Sequence, residues 1–143
     1  MKRSIRALAL AGASLALVSG CGQPSFHPTT TAPPGAVAEL YENTETHGRS
    51  VRLTEGVAMA IECTDKDGKP CALDGSAVDD ESIASYRKAY GDMEQKLVYS
   101  GASNKSYQNR ALFVVVGKKV GKTRLVVKTG KGDAELEVDV RPR

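Results

Sequence analysis

The sequence predicts an all-β fold, an antiparallel β-sandwich, over residues 36–143. Several short segments alternate apolar and polar residues with a period of two, as strands with one buried face do. Stretches rich in Gly, Asp, Asn and Lys, such as "DKDGKP" and "TGKGD", separate these segments as turns do. The region is long enough to bury one core, so we expect a single domain.

The strand candidates follow one another along the chain. In "VAMAIEC", the residues Val57, Met59 and Ile61 share a face with Cys63. The apolar run "ALFVVV" is typical of a central strand. In order, the candidates are residues 37–42, 50–54, 57–63, 95–100, 111–116, 123–128 and 134–140.

The register of the last hairpin follows from parity. Leu125 and Val127 must share a face with Leu136 and Ala134, which places Val127 opposite Ala134 and Leu125 opposite Leu136. The outward pairs are then Lys128 with Asp133, Arg124 with Glu137, and Lys122 with Asp139. Opposite charges face each other, so we expect a self-neutralising solvated face.

Residues 80–98 leave two alternatives open. Ile83, Tyr86, Tyr90 and Met93, with Leu97, fall at helical spacing, so a helix competes there with a strand. The sandwich is therefore predicted either without a helix or with a short inserted one.

The first 20 residues have the organisation of a signal peptide. Lys2, Arg3 and Arg6 precede a twelve-residue apolar stretch, residues 7–18, and the small pair Ser19 and Gly20. A membrane-spanning helix needs about 20 apolar residues, so this stretch is too short to remain as a span.

"VSGC", residues 18–21, resembles the lipobox of bacterial lipoproteins. The resemblance implies cleavage before Cys21, lipidation of that cysteine, and membrane attachment through it. Gly22, where some lipoproteins carry Asp, implies the outer membrane or cell surface. The alternative is an ordinary secretory signal. Residues 21–35, rich in Pro and Thr, are predicted to be a flexible linker that lets the domain float off the membrane.

The charge balance argues against a nucleic-acid partner. The formal charge of +3 comes from Lys2, Arg3 and Arg6, and their removal leaves 17 basic and 17 acidic residues. A neutral exported chain lacks the basic excess that nucleic-acid binding needs. We expect no cofactor.

The cysteine count fits an exported protein. If Cys21 carries lipid, Cys63 and Cys71 remain, separated by a turn of seven residues. An oxidising compartment then favours a Cys63–Cys71 disulfide over two free thiols.

"CTDKDGKPC", "DDESIAS" and "GKTRLVVKTGKGDAELEVDV" resemble the strands and turns of bacterial immunoglobulin-like domains. The resemblance implies an adhesive, structural or partner-binding module rather than an enzyme, with an envelope protein or glycan as its partner. Among the loops, residues 101–109 have the composition suited to recognition, with Tyr107 and Asn109 as contact candidates.

Other motifs suggest chemistry, and each has a simpler interpretation. "SYRK" (Ser85 to Lys88), "YQN" (107–109) and "KTG" (128–130) mimic the signature of penicillin-binding serine acyl-transfer enzymes, which we keep as the alternative function. Those enzymes need a far larger scaffold.

"GKKVGKT" (117–123) is one residue short of a P-loop and is predicted to be a hairpin loop. Asp65 and Asp67 suggest a β-turn, with Gly68 at positive φ, rather than a calcium loop, and His27 and His47 lack further metal ligands.

Overall fold

The computed structural model describes residues 22–43, 46, 48–91 and 110–143. This part of the chain forms nine strands: β1 Ser25–Pro28, β2 Ala38–Glu42, β3 Arg49–Thr54, β4 Ala58–Thr64, β5 Ala77–Val78, β6 Ala84–Gly91, β7 Arg110–Gly117, β8 Gly121–Lys128 and β9 Asp133–Arg141. The described residues contain no helix.

The strands form two sheets. The first has the order β1-β4-β7-β6 and is antiparallel throughout. The second has the order β2-β3-β9-β8-β5, with one parallel pair, β3 and β9. The orders β1-β4-β7-β6 and β9-β8-β5 reproduce the ABED and GFC arrangement of immunoglobulin constant-type domains. The prediction of an immunoglobulin-like β-sandwich is confirmed.

The core lies between the two sheets and is built by the alternating residues of their inner faces. Phe113 on β7 is at its centre, with the Phe26 ring edge-on at 6.3 Å and the Tyr86 ring tilted at 5.5 Å between centroids. Each fully buried large apolar side chain contributes about 1.5–3 kcal/mol to folding. The largest are Phe113, Leu53, Met59, Ile61, Leu73, Leu125 and Leu136.

The predicted hairpin register is confirmed: Val127 pairs with Ala134 and Leu125 with Leu136. The ion pairs follow it only in part. Lys128 does bind the opposed Asp133. The other two cations reach diagonally: Lys122 Nζ lies 2.9 Å from Glu137 Oε1, and Arg124 lies 3.3 Å from Glu135 Oε1 and 2.9 Å from Asp79 Oδ2. Strand twist offsets opposed side chains along the strand and brings diagonal neighbours into reach.

In the connecting segments, the structure decides one open alternative and contradicts one expectation. Residues 84–91 form strand β6, so the helical alternative fails there; residues 92–109, including the candidate strand 95–100, lie outside the described residues. "GKKVGKT" is not a hairpin loop, because β7 belongs to the first sheet and β8 to the second. It carries the chain across the sandwich.

The expected linker is also wrong in part, because Ser25–Pro28 form β1 and pair with β4. The physical reason is Phe26: its side chain fills the core beside Phe113 and is only 6% exposed. β5 is the other strand that sequence patterning missed, and two residues are too few to show a period.

Candidate functional site

β1 fastens the chain to the sandwich directly after the predicted lipidation site. It adds to the free edge of β4 with Ser25 opposite Thr64 and Pro28 opposite Ile61. The Ser25 and Thr64 hydroxyls are hydrogen-bonded to each other. Beyond the strand, Thr29 N–H donates to the Ala60 carbonyl at 2.8 Å. Backbone pairing therefore holds residues 25–29 against the first sheet.

Arg49 on β3 of the second sheet stabilises this junction by contacting Phe26 and Pro24. The Arg49 guanidinium carbon lies 5.4 Å from the centroid of the Phe26 ring, within the range of a cation–π contact. The same guanidinium donates a hydrogen bond to the Pro24 carbonyl. Its side chain is 15% exposed, so most of this contact is sheltered from water. The junction thus has both an apolar and a charge-assisted component.

The chain between Cys21 and β1 is short. Only residues 22–24 separate them, and four fully extended Cα steps span at most about 14 Å. Gly22 also lies against the turn that follows β4: a Cβ at its position would sit 3.4 Å from Lys66 Cβ. The domain therefore does not float on a tether of fifteen residues.

The turn after β4 is closed by the Cys63–Cys71 disulfide, which confirms the predicted pairing. The two Cα atoms are 5.5 Å apart, and Cys71 N–H donates to the Cys63 carbonyl at 3.1 Å. Both cysteines are buried. Gly68 has φ +76°, as the predicted β-turn requires.

Asp65 organises the interior of this turn. Its Oδ1 accepts hydrogen bonds from the backbone N–H groups of Asp67 at 2.8 Å and Lys69 at 2.9 Å. The Lys69 N–H bond is the main reason that the pKa of Asp65 is lowered, and the charge of Lys131 adds to it. These contacts give the carboxylate a structural role in the turn.

The β8–β9 tip lies beside this turn. Lys131 Nζ is 3.7 Å from Asp67 Oδ2. Thr129, only 4% exposed, closes the tip by donating its hydroxyl to the Gly132 carbonyl at 2.8 Å. We call residues 22–25, 64–71 and 128–133 together the anchor end.

At the anchor end, two lysine side chains are exposed to solvent, whereas one aspartate side chain is buried. Asp65 is 7% exposed and faces the backbone, whereas Lys66 and Lys69 are exposed. Among the described residues, neither lysine has a carboxylate oxygen within 4 Å. The carboxylates nearby have basic partners: Asp67 with Lys131, Asp133 with Lys128, and Glu62 with Arg110. With four lysines and three aspartates, the anchor end has a net formal charge of +1, and its exposed unpaired charges are those of Lys66 and Lys69.

Ser85 and Lys88 of the serine acyl-transfer alternative do not share a face of the structure. On β6, Ser85 is opposite Val116 and Lys88 is opposite Phe113, so the two side chains point to opposite faces of the strand. A lysine can activate a serine three positions earlier only on a helix, where both share a face. Lys128 and Thr129 of "KTG" are occupied within the β8–β9 tip.

Several predicted positions lie outside the described residues: Cys21, His47, Tyr107 and Asn109. His27 is exposed on β1. In the described ranges, no three His, Cys, Asp or Glu side chains are grouped so that they could hold a metal ion. No helix among the described residues is long and apolar enough to cross a membrane.

The outward face of β7 is apolar and half-buried, which the sequence did not predict. Leu112, Val114 and Val116 point away from the core and are half-buried. On the neighbouring strands, Ala60 and Arg87 flank Val114. Half-burial by neighbouring strands explains why the run "ALFVVV" is apolar on both faces.

Comparisons with known proteins show little. No family model matches the chain, and no curated protein matches it. One of the solved structures that do match comprises domains 4 and 5 of the S-layer protein SbsC, with 18% sequence identity and a TM-score of 0.41. The match covers 73% of this chain and 53% of that one, so the chain spans about half the length of that structure.

Proposed function

We propose that the protein is a bacterial lipoprotein: a non-catalytic binding or assembly module held at the cell envelope by a lipid on Cys21. The observation that carries the proposal is the signal-peptide organisation of residues 1–20, which ends in the lipobox-like "VSGC". Ser25, four residues after Cys21, is already paired in the first sheet. A lipid at Cys21 would therefore attach the folded domain itself to the membrane surface, with the outer membrane or cell surface as its location.

The first experiment tests the anchor. Cys21→Ser removes the thiol that accepts the acyl group, so we expect an uncleaved precursor without lipid. Metabolic labelling with a fatty-acid probe and the intact mass of the purified protein measure both properties. A matched variant, Ser25→Ala, leaves the thiol in place and should label like the wild type. Label retained in Cys21→Ser would contradict the proposal.

The partner is proposed to be an envelope protein or glycan that contacts Tyr107 and Asn109. This proposal depends on the composition of residues 101–109 alone: Gly, Ser and Asn offer adaptable hydrogen bonding, and Tyr a large amphipathic surface. The double variant Tyr107→Ala/Asn109→Ala should fold normally and lose cross-linking to the envelope component that the wild type cross-links. Undiminished cross-linking would exclude this contact.

The serine acyl-transfer alternative has its own test. Labelled penicillin should not react with Ser85, because β6 places Lys88 on the opposite face. Covalent label on a peptide containing Ser85 would restore that alternative.

A further inference from the structure

We infer that the anchor end is a second membrane contact, in which Lys66, Lys69 and Lys131 bind the headgroups of anionic phospholipids and set the orientation of the sandwich. The inference rests on the proposed lipid at Cys21. It adds a surface, a ligand class and an orientation to that anchor.

Lys66 lies close enough to Cys21 to reach the headgroup region of the bilayer. The proposed acyl chains enter the bilayer at Cys21, and a Cβ placed on the adjacent Gly22 would lie 3.4 Å from Lys66 Cβ, so the two residues are neighbours. The headgroup region of one leaflet is about 5–8 Å deep. A lysine side chain beside Gly22 is therefore within reach of headgroup phosphates as soon as Cys21 is inserted.

Lys66, Lys69 and Lys131 of the anchor end are exposed and available to bind headgroup phosphates. The turn directs its acidic Asp65 inward, to the N–H groups of Asp67 and Lys69, and its lysines outward. The Lys131–Asp67 pair is long, at 3.7 Å, and about half of each side chain is exposed, so Lys131 can exchange this partner for a phosphate. The surface that faces the membrane is thus basic, although the mature chain is neutral.

The turn that carries Lys66 and Lys69 is rigid. The Cys63–Cys71 disulfide and the two hydrogen bonds to Asp65 hold the turn in one conformation. A preformed surface loses little conformational entropy when it binds. Near an anionic bilayer each lysine strengthens binding about fivefold, and the attraction falls off over about 8 Å in physiological salt.

The orientation follows from the strand directions. Thr64 and Arg110 lie at the anchor end of the first sheet, and Ala58 and Gly117 at the opposite end. With Lys66 and Lys69 on the membrane, Lys118 and Lys119, which follow Gly117, point into the aqueous phase. These two lysines are therefore internal controls.

The test uses the mature lipidated protein in vesicles of phosphatidylcholine, with or without phosphatidylglycerol. A water-soluble amine-acylating reagent labels accessible lysines, and mass spectrometry of peptides gives the rate at each position. With phosphatidylglycerol we expect Lys66 and Lys69 to react at least fivefold more slowly than in phosphatidylcholine alone. Lys119 should react equally in both.

A matched pair of variants separates charge from fold. Lys66→Gln/Lys69→Gln should lose most of the protection of Lys131 by phosphatidylglycerol, and Lys118→Gln/Lys119→Gln, with the same change in net charge, should retain it. Equal thermal midpoints would show that both variants fold.

Three other outcomes are possible, and each contradicts the membrane contact, the proposed function or both. Equal protection in both vesicles would mean that proximity to the anchor alone shields the lysines, and protection of Lys119 would mean a different orientation; either result overturns this inference and leaves the lipid anchor intact. A purified protein whose mass shows no lipid on Cys21 would overturn the proposed function and this inference together.

Discussion

At the scale of single residues, Asp65 shows how a motif that resembles a metal loop serves the fold. Its carboxylate accepts two backbone hydrogen bonds inside the disulfide-closed turn. A metal ion would have to compete with these N–H groups for the same oxygen. The residue therefore belongs to the architecture that presents Lys66 and Lys69.

Asp65 also predicts a pH dependence of stability. Hydrogen bonding from the Lys69 N–H lowers the pKa of Asp65 in the folded protein. A carboxyl with a lowered pKa stabilises the fold fully above the pKa of an unfolded aspartate, about 3.9, and this contribution is lost as pH falls through the folded pKa. We expect Asp65→Asn, which keeps an oxygen acceptor, to lower the thermal midpoint at neutral pH and to reduce the difference from wild type in acid.

Thermal unfolding followed by circular dichroism between neutral and acidic pH measures this effect. Asp67→Asn is the control, because within the described part of the chain that carboxylate makes only the long contact to Lys131. A constant difference between Asp65→Asn and wild type across the whole pH range would show that the charge of Asp65 contributes nothing.

At the scale of elements, β1 is the segment that joins residues 22–24 to the sandwich. It has four residues, and its burial comes mainly from Phe26. A strand this short is stabilised by its one core side chain and by its pairing with β4, not by intrinsic propensity. Loss of that side chain should therefore release the strand.

We predict that Phe26→Ala detaches β1. The substitution removes a buried ring that contacts Phe113, and such changes in a core cost about 3–5 kcal/mol. Amide hydrogen exchange should accelerate at Thr29, whose N–H donates to the Ala60 carbonyl. His27→Ala, on the opposite face of the same strand, is the control and should leave that amide protected. Equal exchange in the two variants would show that Phe26 does not hold the strand.

At the scale of the whole molecule, the connection between Cys21 and β1 has only three residues, so the lipid proposed on Cys21 would restrict the orientation of the domain. The anchor end lies beside the connection, and the strands carry the rest of the sandwich away from it. A long flexible tether would allow every orientation. The connection of three residues allows few orientations.

Lengthening the connection should therefore release the domain. Ten Gly and Ser residues inserted after Gly22 would give a flexible segment with a root-mean-square span of about 17 Å, about twice the Debye length of about 8 Å. We expect Lys66 and Lys69 in the lipidated protein to be labelled several-fold faster on phosphatidylglycerol vesicles than in the wild type. The same ten residues added after Arg143 are the control and should change neither rate. Unchanged labelling with the insertion after Gly22 would show that the connection does not set the orientation.

The sequence by itself determined the features that depend on local patterning. Period-two alternation identified five of the strands and a continuous apolar run identified β7, and the parity of Leu125 and Val127 was enough to set the register of β8 with β9. The spacing of Cys63 and Cys71 across one turn predicted the disulfide, because a tight turn brings its two ends together. Each of these depends on residues close together in the chain.

The tertiary structure alone decided what depends on distant surfaces. Phe26 stands alone among polar and Pro-rich neighbours, and only the space beside Phe113 and the free edge of β4 make its segment a strand. The chain crosses between sheets after Gly117 because β8 finds its partner in β9 rather than in β7, which no local pattern shows. The anchor end follows from both: it joins segments 22–25, 64–71 and 128–133, which are far apart in sequence and meet only when the two sheets pack.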